Sequence, residues 1–336
     1  MAIKIPDELK ADVPQTTWGK ILNATPIVMT VIATMLAGLA SSEMTRAQYD
    51  RALAAQQQSK AGDQWGFFQA KRLRGAVQHN ALDILQSTAD VRPMEAVALR
   101  KHLEELSAQA GPAGAEEIRK QIVTALETAE GRQTLVVLEK GELPGAVSAP
   151  ALDPKLNGAL EAVERSKPEP EMLAALALVD DHTILSQLQA ARNRTQELDS
   201  LLKPINQSVD QLEKLLARQV AILGASGSPG AAQARLLNRD FIAARLRYTG
   251  LRYESEARLN QSIANLMELQ VRKSNITAER HHNRSQLFFF GMLGAQMAVI
   301  ISTFAVAARK RSFLWSIAAA AGLAAIVFAI YVYVFL

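Results

Sequence analysis

Two long runs without a charged residue lie at the C-terminal end of this chain of 336 residues. They cover residues 287–308 and 313–336, and each exceeds the roughly 20 residues that a helix needs to cross a bilayer core. A buried core helix is the alternative, but two such runs in succession make that the weaker interpretation. The basic turn Arg309, Lys310 and Arg311 joins the runs, so we expect an antiparallel transmembrane hairpin.

A third uncharged segment, residues 21–41, is less apolar and contains Pro26. Thr25 followed by proline is typical of a helix start, so this helix either begins at Thr25 or kinks there. A cleaved signal peptide is the alternative, but the polar lead of residues 1–20 carries acidic residues and fits that class poorly. We therefore expect three transmembrane helices, with this segment as the first.

The orientation of the spans depends on the basic residues near their ends. These residues are almost equally numerous on both sides, so their number does not decide. The tight turn Arg309, Lys310 and Arg311 is hard to translocate, whereas long segments cross largely regardless of charge. We therefore expect a bacterial inner (cytoplasmic) membrane protein with residues 42–286 on the periplasmic side.

Residues 42–92 and 231–286 both lack proline and favour long helices that continue from the first span and into the second. The first segment has an apolar stripe formed by Ala70, Leu73, Val77, Ala81, Ile84 and Val91. The second has Leu237, Phe241, Ala244, Tyr248 and Leu251, and only Gly250 interrupts it. A narrow apolar stripe with a charged back is unstable alone in water, so we expect the two stalk helices to pair antiparallel.

The middle of the chain, residues 93–230, is divided by glycine and proline clusters into a helical cap. We expect helices over 94–110, 115–139, 155–166, 171–203 and 206–223, with Pro204 kinking or separating the last two. The apolar run at 133–138 is short and isolated, so we interpret it as buried helix. The predicted fold is all-α: an integral membrane protein with three transmembrane helices and a long extramembrane hairpin or coiled-coil stalk with a helical cap.

Known catalytic and metal-binding patterns are absent from the sequence. There is no cysteine, and the adjacent His281 and His282 point about 100° apart on a helix, so we expect a polar collar near the membrane surface instead of a metal site. The carboxylates are scattered, and Gly224 to Gly230 fits a flexible linker better than a phosphate loop. We expect no catalytic, cofactor or metal site. The nearly neutral region between the spans also argues against nucleic acid as a partner.

One patch stands out because it concentrates aromatic residues in a helix rich in glutamine and alanine. It contains Trp65, Phe67, Phe68, Gln69 and Lys71. Trp65 and Phe68 share one helix face, and Phe67 and Lys71 share another, so the patch has more aromatic surface than one helix contact needs. We expect one face to pack on the second stalk helix and the other to bind a further subunit. A thick local core is the alternative.

The run Gln64–Trp65–Gly66–Phe67–Phe68–Gln69–Ala70–Lys71 resembles the signature of a bacterial family, the domain-of-unknown-function family numbered 4337. The order of one N-terminal span, a helical region and two C-terminal spans joined by a short basic turn is similar too. The resemblance covers roughly residues 20–92 and 235–336, and residues 93–230 look like an enlarged middle region. The family has no assigned activity, so the resemblance implies an architecture and no functional residues.

Our leading hypothesis is a non-enzymatic, membrane-anchored helical scaffold or accessory subunit, with the lipid bilayer as one partner. It would self-associate as a homo-oligomer or join a larger membrane protein complex. The alternative is an oligomeric channel or mechanically gated pore lined by the first span through Asn23, Thr30 and Thr34.

Overall fold

The computed structural model describes residues 17–109, 112–144, 151–225, 230–307 and 311–335. The regular elements in these ranges are all α-helices, which confirms the predicted all-α class. They are α1 (Thr17–Thr88), α2 (Ala96–Gln109), α3 (Pro112–Glu127), α4 (Ala129–Lys140), α5 (Pro154–Glu164), α6 (Glu169–Ala177), α7 (Asp181–Ala225), α8 (Gly230–Ala307) and α9 (Arg311–Phe335).

Three of these helices contain segments that are long and apolar enough to cross a membrane, as predicted from the sequence. The segments fall in α1, in α8 and in α9, whose apolar part is Phe313–Phe335. Of the topology determinants, Arg309 and Lys310 lie outside the described residues, and Arg311 is the first residue of α9. These three segments are consistent with a membrane protein by length and composition.

The chain divides into two units. The terminal unit comprises Met1–Gln56 and Val271–Leu336, and the central unit comprises Gln57–Gln270. The long helices α1, with 72 residues, and α8, with 78 residues, each contribute to both units. Each unit buries its own cluster of apolar residues.

In the terminal unit, parts of α1, α8 and α9 pack together. The buried residues of this cluster are Ala33, Leu36, Ala40, Phe288, Ala295, Ala325 and Val332. Small side chains predominate, which allows the helix backbones to approach closely, as membrane helices require. Of the two alternatives for this segment, a helix start at Thr25 is wrong, because α1 starts at Thr17 and contains Pro26. The Thr25 hydroxyl instead accepts a hydrogen bond of 2.9 Å from Trp315 Nε1.

In the central unit, α2, α3 and α4 pack on α7, and the core is rich in leucine. The helix expected over 115–139 is two helices, because Thr128 is extended and its hydroxyl accepts from Gly131 N at 3.1 Å, which caps α4. The run 133–138 lies within α4 and is helical, as predicted. Leu135, Val137 and Leu138 are buried there.

Pro204 does not separate two helices, because α7 runs through it. Proline removes one backbone N–H and strains the preceding turn. However, Leu202 and Ile205 on either side of it are both buried in the core, and that burial holds the helix continuous. The helix expected over 171–203 is instead interrupted between α6 and α7. Likewise, α1 ends at Thr88, before the expected stop at Arg92.

The buried face of α1 differs from the expected apolar stripe. Leu73, Val77 and Ile84 are exposed by 67%, 54% and 55%. The face that packs inward in the central unit carries Ala61, Gln64, Phe68, Lys71, Gly75 and Leu82. The expectation was wrong about the face, because α1 packs through small and polar residues that a search for large apolar side chains passes over.

Candidate interaction site on the first helix

An ion pair joins α1 to α8 in the central unit. Lys71 Nζ pairs with a carboxylate oxygen of Glu256, and both side chains are largely shielded from solvent. The Lys71 ammonium also lies 5.4 Å from the ring centroid of Tyr253, and the Arg252 guanidinium lies 4.5 Å from the same ring. A cation within about 6 Å of a tyrosine ring centroid is a favourable cation–π arrangement. Lys71 therefore faces inward. The four-residue spacing had suggested that it shares a face with Phe67, but Phe67 lies on the exposed side.

Two glycines lie where α1 and α8 meet, and at Gly250 an added Cβ would clash. A Cβ added at Gly75 would lie 3.5 Å from Tyr253 Cβ, and one added at Gly250 would lie 2.5 Å from His79 Nε2. Gly250 had been expected to interrupt the second stalk helix. It instead lies in the middle of α8 and provides the space that the His79 ring occupies.

The aromatic patch is divided between the two faces of α1. Trp65 and Phe68 are half-buried and meet edge to face, with ring centroids 5.5 Å apart. Arg72 lies 6.0 Å from the Phe68 centroid. Phe67 is 55% exposed, and Gln69 is exposed as well. Of the candidate interface residues, the structure therefore brings Trp65, Phe68 and Lys71 to the packed side and leaves Phe67 and Gln69 on the outside.

The outside of α1 carries a continuous seam, which we call the outward seam. Its members are spaced alternately three and four residues apart, and all are exposed: Ala70, Leu73, Val77, Asn80, Ile84 and Ser87. Phe67 flanks its N-terminal end. Its large apolar members are Leu73, Val77 and Ile84, and exposed apolar side chains grouped on one helix face often mark an interaction surface. The outward seam is therefore the candidate functional site of the central unit.

A cavity of about 520 Å³ lies between α1, α7 and α8. Its charged lining residues are Lys71, Arg192, Asp199 and Glu256, and Gln64, Gln189 and Asn260 are among the amides. Two cations and two anions balance, so the cavity favours neither an anionic nor a cationic ligand. It lies on the packed side of the helix, away from the outward seam.

A buried polar network ties α7 to α8. Tyr248 Oη donates to Asn206 Oδ1 at 2.8 Å, and Arg252 Nη1 donates to the same oxygen at 2.7 Å. Burial raises the pKa of Tyr248 to about 12, and the nearby carboxylates of Glu256 and Asp210 add to the effect while Arg252 opposes it. The phenol is therefore a hydrogen-bond donor throughout the physiological range.

The terminal unit has a second polar contact between α1 and α8. His281 Nδ1 lies 2.5 Å from Glu43 Oε2, and Ser285 Oγ donates to the Ala40 carbonyl at 2.7 Å. His281 thus packs against α1. Asp50 approaches the other ring nitrogen only to 3.9 Å. Within the described ranges, no group of three acidic or histidine side chains is arranged to hold a metal ion.

Within the described residues, the chain is all-helical, three of its helices are long and apolar enough to cross a membrane, and the outward seam is exposed. Residues 22–142 match the model of a family described as Domain of unknown function (DUF4337), which confirms the resemblance expected from the Trp65 region. The match continues through residues 93–142, which had been expected to lie outside the resemblance. No curated protein matches the chain, and no solved structure matches it.

Proposed function

We propose that the protein is a non-enzymatic, membrane-anchored helical scaffold or accessory subunit that acts by assembling with other protein chains. The observation that carries this proposal is the outward seam. Leu73, Val77 and Ile84 are each more than half exposed on one face of a helix whose opposite face is already packed. Covering such a row with a partner removes apolar surface from water, at about 25 cal/mol per Å².

The test of assembly is a mass measurement on the full-length chain. We expect native mass spectrometry, after extraction from the native membrane in mild detergent, to give a complex heavier than one chain of 36.5 kDa. Replacing Leu73 and Val77 together by serine should return the chain to the monomer, because both side chains are exposed and contribute little to the fold. A wild-type chain that is monomeric and carries no second protein would overturn the proposal.

We place the chain in the inner membrane of a bacterium, with residues 42–286 on the periplasmic side. The basic turn between the second and third spans supports this orientation. Because the chain has no cysteine, a single Ser312→Cys substitution gives a unique label site at that turn. We expect no reaction with an impermeant thiol reagent in intact cells and full reaction after lysis. Labelling in intact cells would reverse the orientation.

A pore lined by the first span is the second candidate. It is favoured by the positions of Asn23, Thr30 and Thr34, which are seven and four residues apart and all exposed in the terminal unit. The Thr30 and Thr34 hydroxyls donate to carbonyls one turn earlier at 2.8 Å, and their oxygens keep acceptor capacity for water. Single-channel recording in planar bilayers tests this candidate. Silence under both voltage and tension would eliminate it.

A further inference from the structure

We propose that the outward seam pairs with the same seam of a second copy, as a parallel, in-register, two-stranded coiled coil. This inference rests on the proposed function and names the partner in it. The seam alternates between two positions of a heptad repeat. One position carries Ala70, Val77 and Ile84, and the other carries Leu73, Asn80 and Ser87.

The residue types of the seam favour two parallel strands. β-branched residues at the first apolar position of the heptad, with leucine at the second, select parallel dimers. Val77 and Ile84 fit this rule at the first position. Leu73 fits it at the second position, where Asn80 and Ser87 are polar. The inward face of the same helix, which includes Phe68, Gly75 and Leu82, lies on the opposite side of the heptad and is packed within the chain.

The direction of pairing follows from the membrane segment of α1. The first candidate span lies nearer the N-terminus of the same helix. Two copies inserted in one membrane with one orientation therefore present α1 in the same direction. A two-fold axis then places each seam residue opposite its own equivalent, as in any self-complementary interface.

The flanking residues do not oppose this self-pairing. In a parallel in-register pair, the residue just before each first position faces the residue five places later in the partner helix. Gln69 then faces Arg74, Ala76 faces Ala81, and Asp83 faces Thr88 of the second copy. No like charges are opposed. Asn80 meets its own equivalent, where two amides can hydrogen-bond, and a shift of one heptad would place it against Leu73 or Ser87.

Cysteine cross-linking of the full-length chain in native membranes tests the inference. We expect Val77→Cys and Ile84→Cys to give disulfide-linked dimers on mild oxidation. Gln86→Cys is the matched control, because it is exposed on the same helix but lies away from the seam. Co-expressed Val77→Cys and Ile84→Cys chains of different size should form few mixed dimers, since equivalent positions pair. Equal cross-linking at the seam and control positions would overturn the inference.

A second variant separates the failure of this inference from that of the proposed function. Leu73→Asp should lower the dimer fraction by about tenfold, because it places a charge against its own equivalent in an apolar seam. The far-ultraviolet circular dichroism spectrum should stay unchanged, since Leu73 is 67% exposed within one chain and its replacement should not alter the helices. If native mass spectrometry shows a complex but Val77→Cys forms no dimer, the inference that a second copy binds the outward seam is wrong. The scaffold proposal then stands. If no complex is found, both fail.

Discussion

Tyr248 and Asn206 are joined by a partly buried hydrogen bond of 2.8 Å that links α8 to α7. The Asn206 oxygen also accepts from Arg252, so one amide satisfies two donors that the fold has removed from water. Buried donors without acceptors cost about 1 to 3 kcal/mol each. This single side chain therefore contributes to the central unit more than its size suggests.

The stability of the central unit should fall above about pH 10, because of Tyr248. The phenol has its usual pKa of 10.0 in the unfolded chain and about 12 in the folded one. Below pH 10 both states are protonated, and the contribution is fully present. As the pH rises toward 12 the unfolded chain ionises first, and stability falls by roughly 2 to 3 kcal/mol.

Denaturant unfolding across this pH range, followed by near-ultraviolet circular dichroism in mild detergent, measures the effect. Tyr248→Phe should remove most of this slope, whereas Tyr253→Phe should keep it, since Tyr253 lies at the edge of the network and is half-buried. Identical pH profiles for the wild type and Tyr248→Phe would contradict the assignment.

Gly131→Ala should destabilise the central unit by about 1 to 3 kcal/mol, an overpacking cost. An added Cβ would lie 2.7 Å from the Ala125 carbonyl carbon and 3.0 Å from Leu126 N, and this backbone cannot rotate away as a side chain can. Gly158→Ala is the control, because its Cβ would meet nothing within 4 Å and alanine favours helix. We expect the control to leave the unfolding midpoint unchanged or to raise it. A neutral Gly131→Ala would show that α3 can shift.

Ala54→Leu should destabilise the terminal unit, whereas Ala55→Leu should not. Ala54 is 2% exposed, and Ala55, the next residue, is exposed. A larger side chain at the buried position must push α1 away from its neighbours, at a cost of about 1 to 3 kcal/mol. Thermal unfolding of both variants in the same detergent compares them directly. Equal melting temperatures would mean that this face of α1 is not tightly packed.

Thr25→Val should loosen the contact between the first and third spans. The valine keeps the size of threonine but removes the acceptor for Trp315 Nε1. Hydrogen bonds between membrane helices contribute about 0.6 kcal/mol on average, so the expected loss is small but measurable. A double-mutant cycle with Trp315→Phe isolates the coupling energy, and Thr25→Ser should retain it. A coupling energy of zero would show that the bond adds nothing to stability.

The fold class was predictable from the sequence because its strongest signals are local. An uncharged run such as 313–336 needs no tertiary information, and neither does the absence of proline from 42–92. Breaks set by one residue were harder. Thr128 begins a new helix, α4, by capping it with its own hydroxyl. Pro204 is the stronger helix breaker by propensity, yet α7 continues through it.

The packed face of α1 could not be found by ranking apolar side chains. Leu73 and Val77 outrank alanine on any such scale, yet they lie on the outside. The missed signal was a regular spacing of small residues: Ala33, Ala40, Ala47, Ala54 and Ala61 recur every seven residues. Each is buried. The ion pair of Lys71 was beyond prediction too, since its partner lies 185 residues away in the sequence.

The regular spacing of these alanines bears on the register in which α1 and α8 pack. Because these alanines repeat every seven residues, a shift of α1 by seven residues along α8 leaves the same small side chains at the contact. The alanines alone therefore do not specify the register of the two helices. The polar contacts can. In the terminal unit, a slide of seven residues would bring Glu43 against Ser274 or Phe288 in place of His281. The Glu43 carboxylate would then lose its contact with the His281 imidazole. This pair therefore favours a single register of α1 against α8.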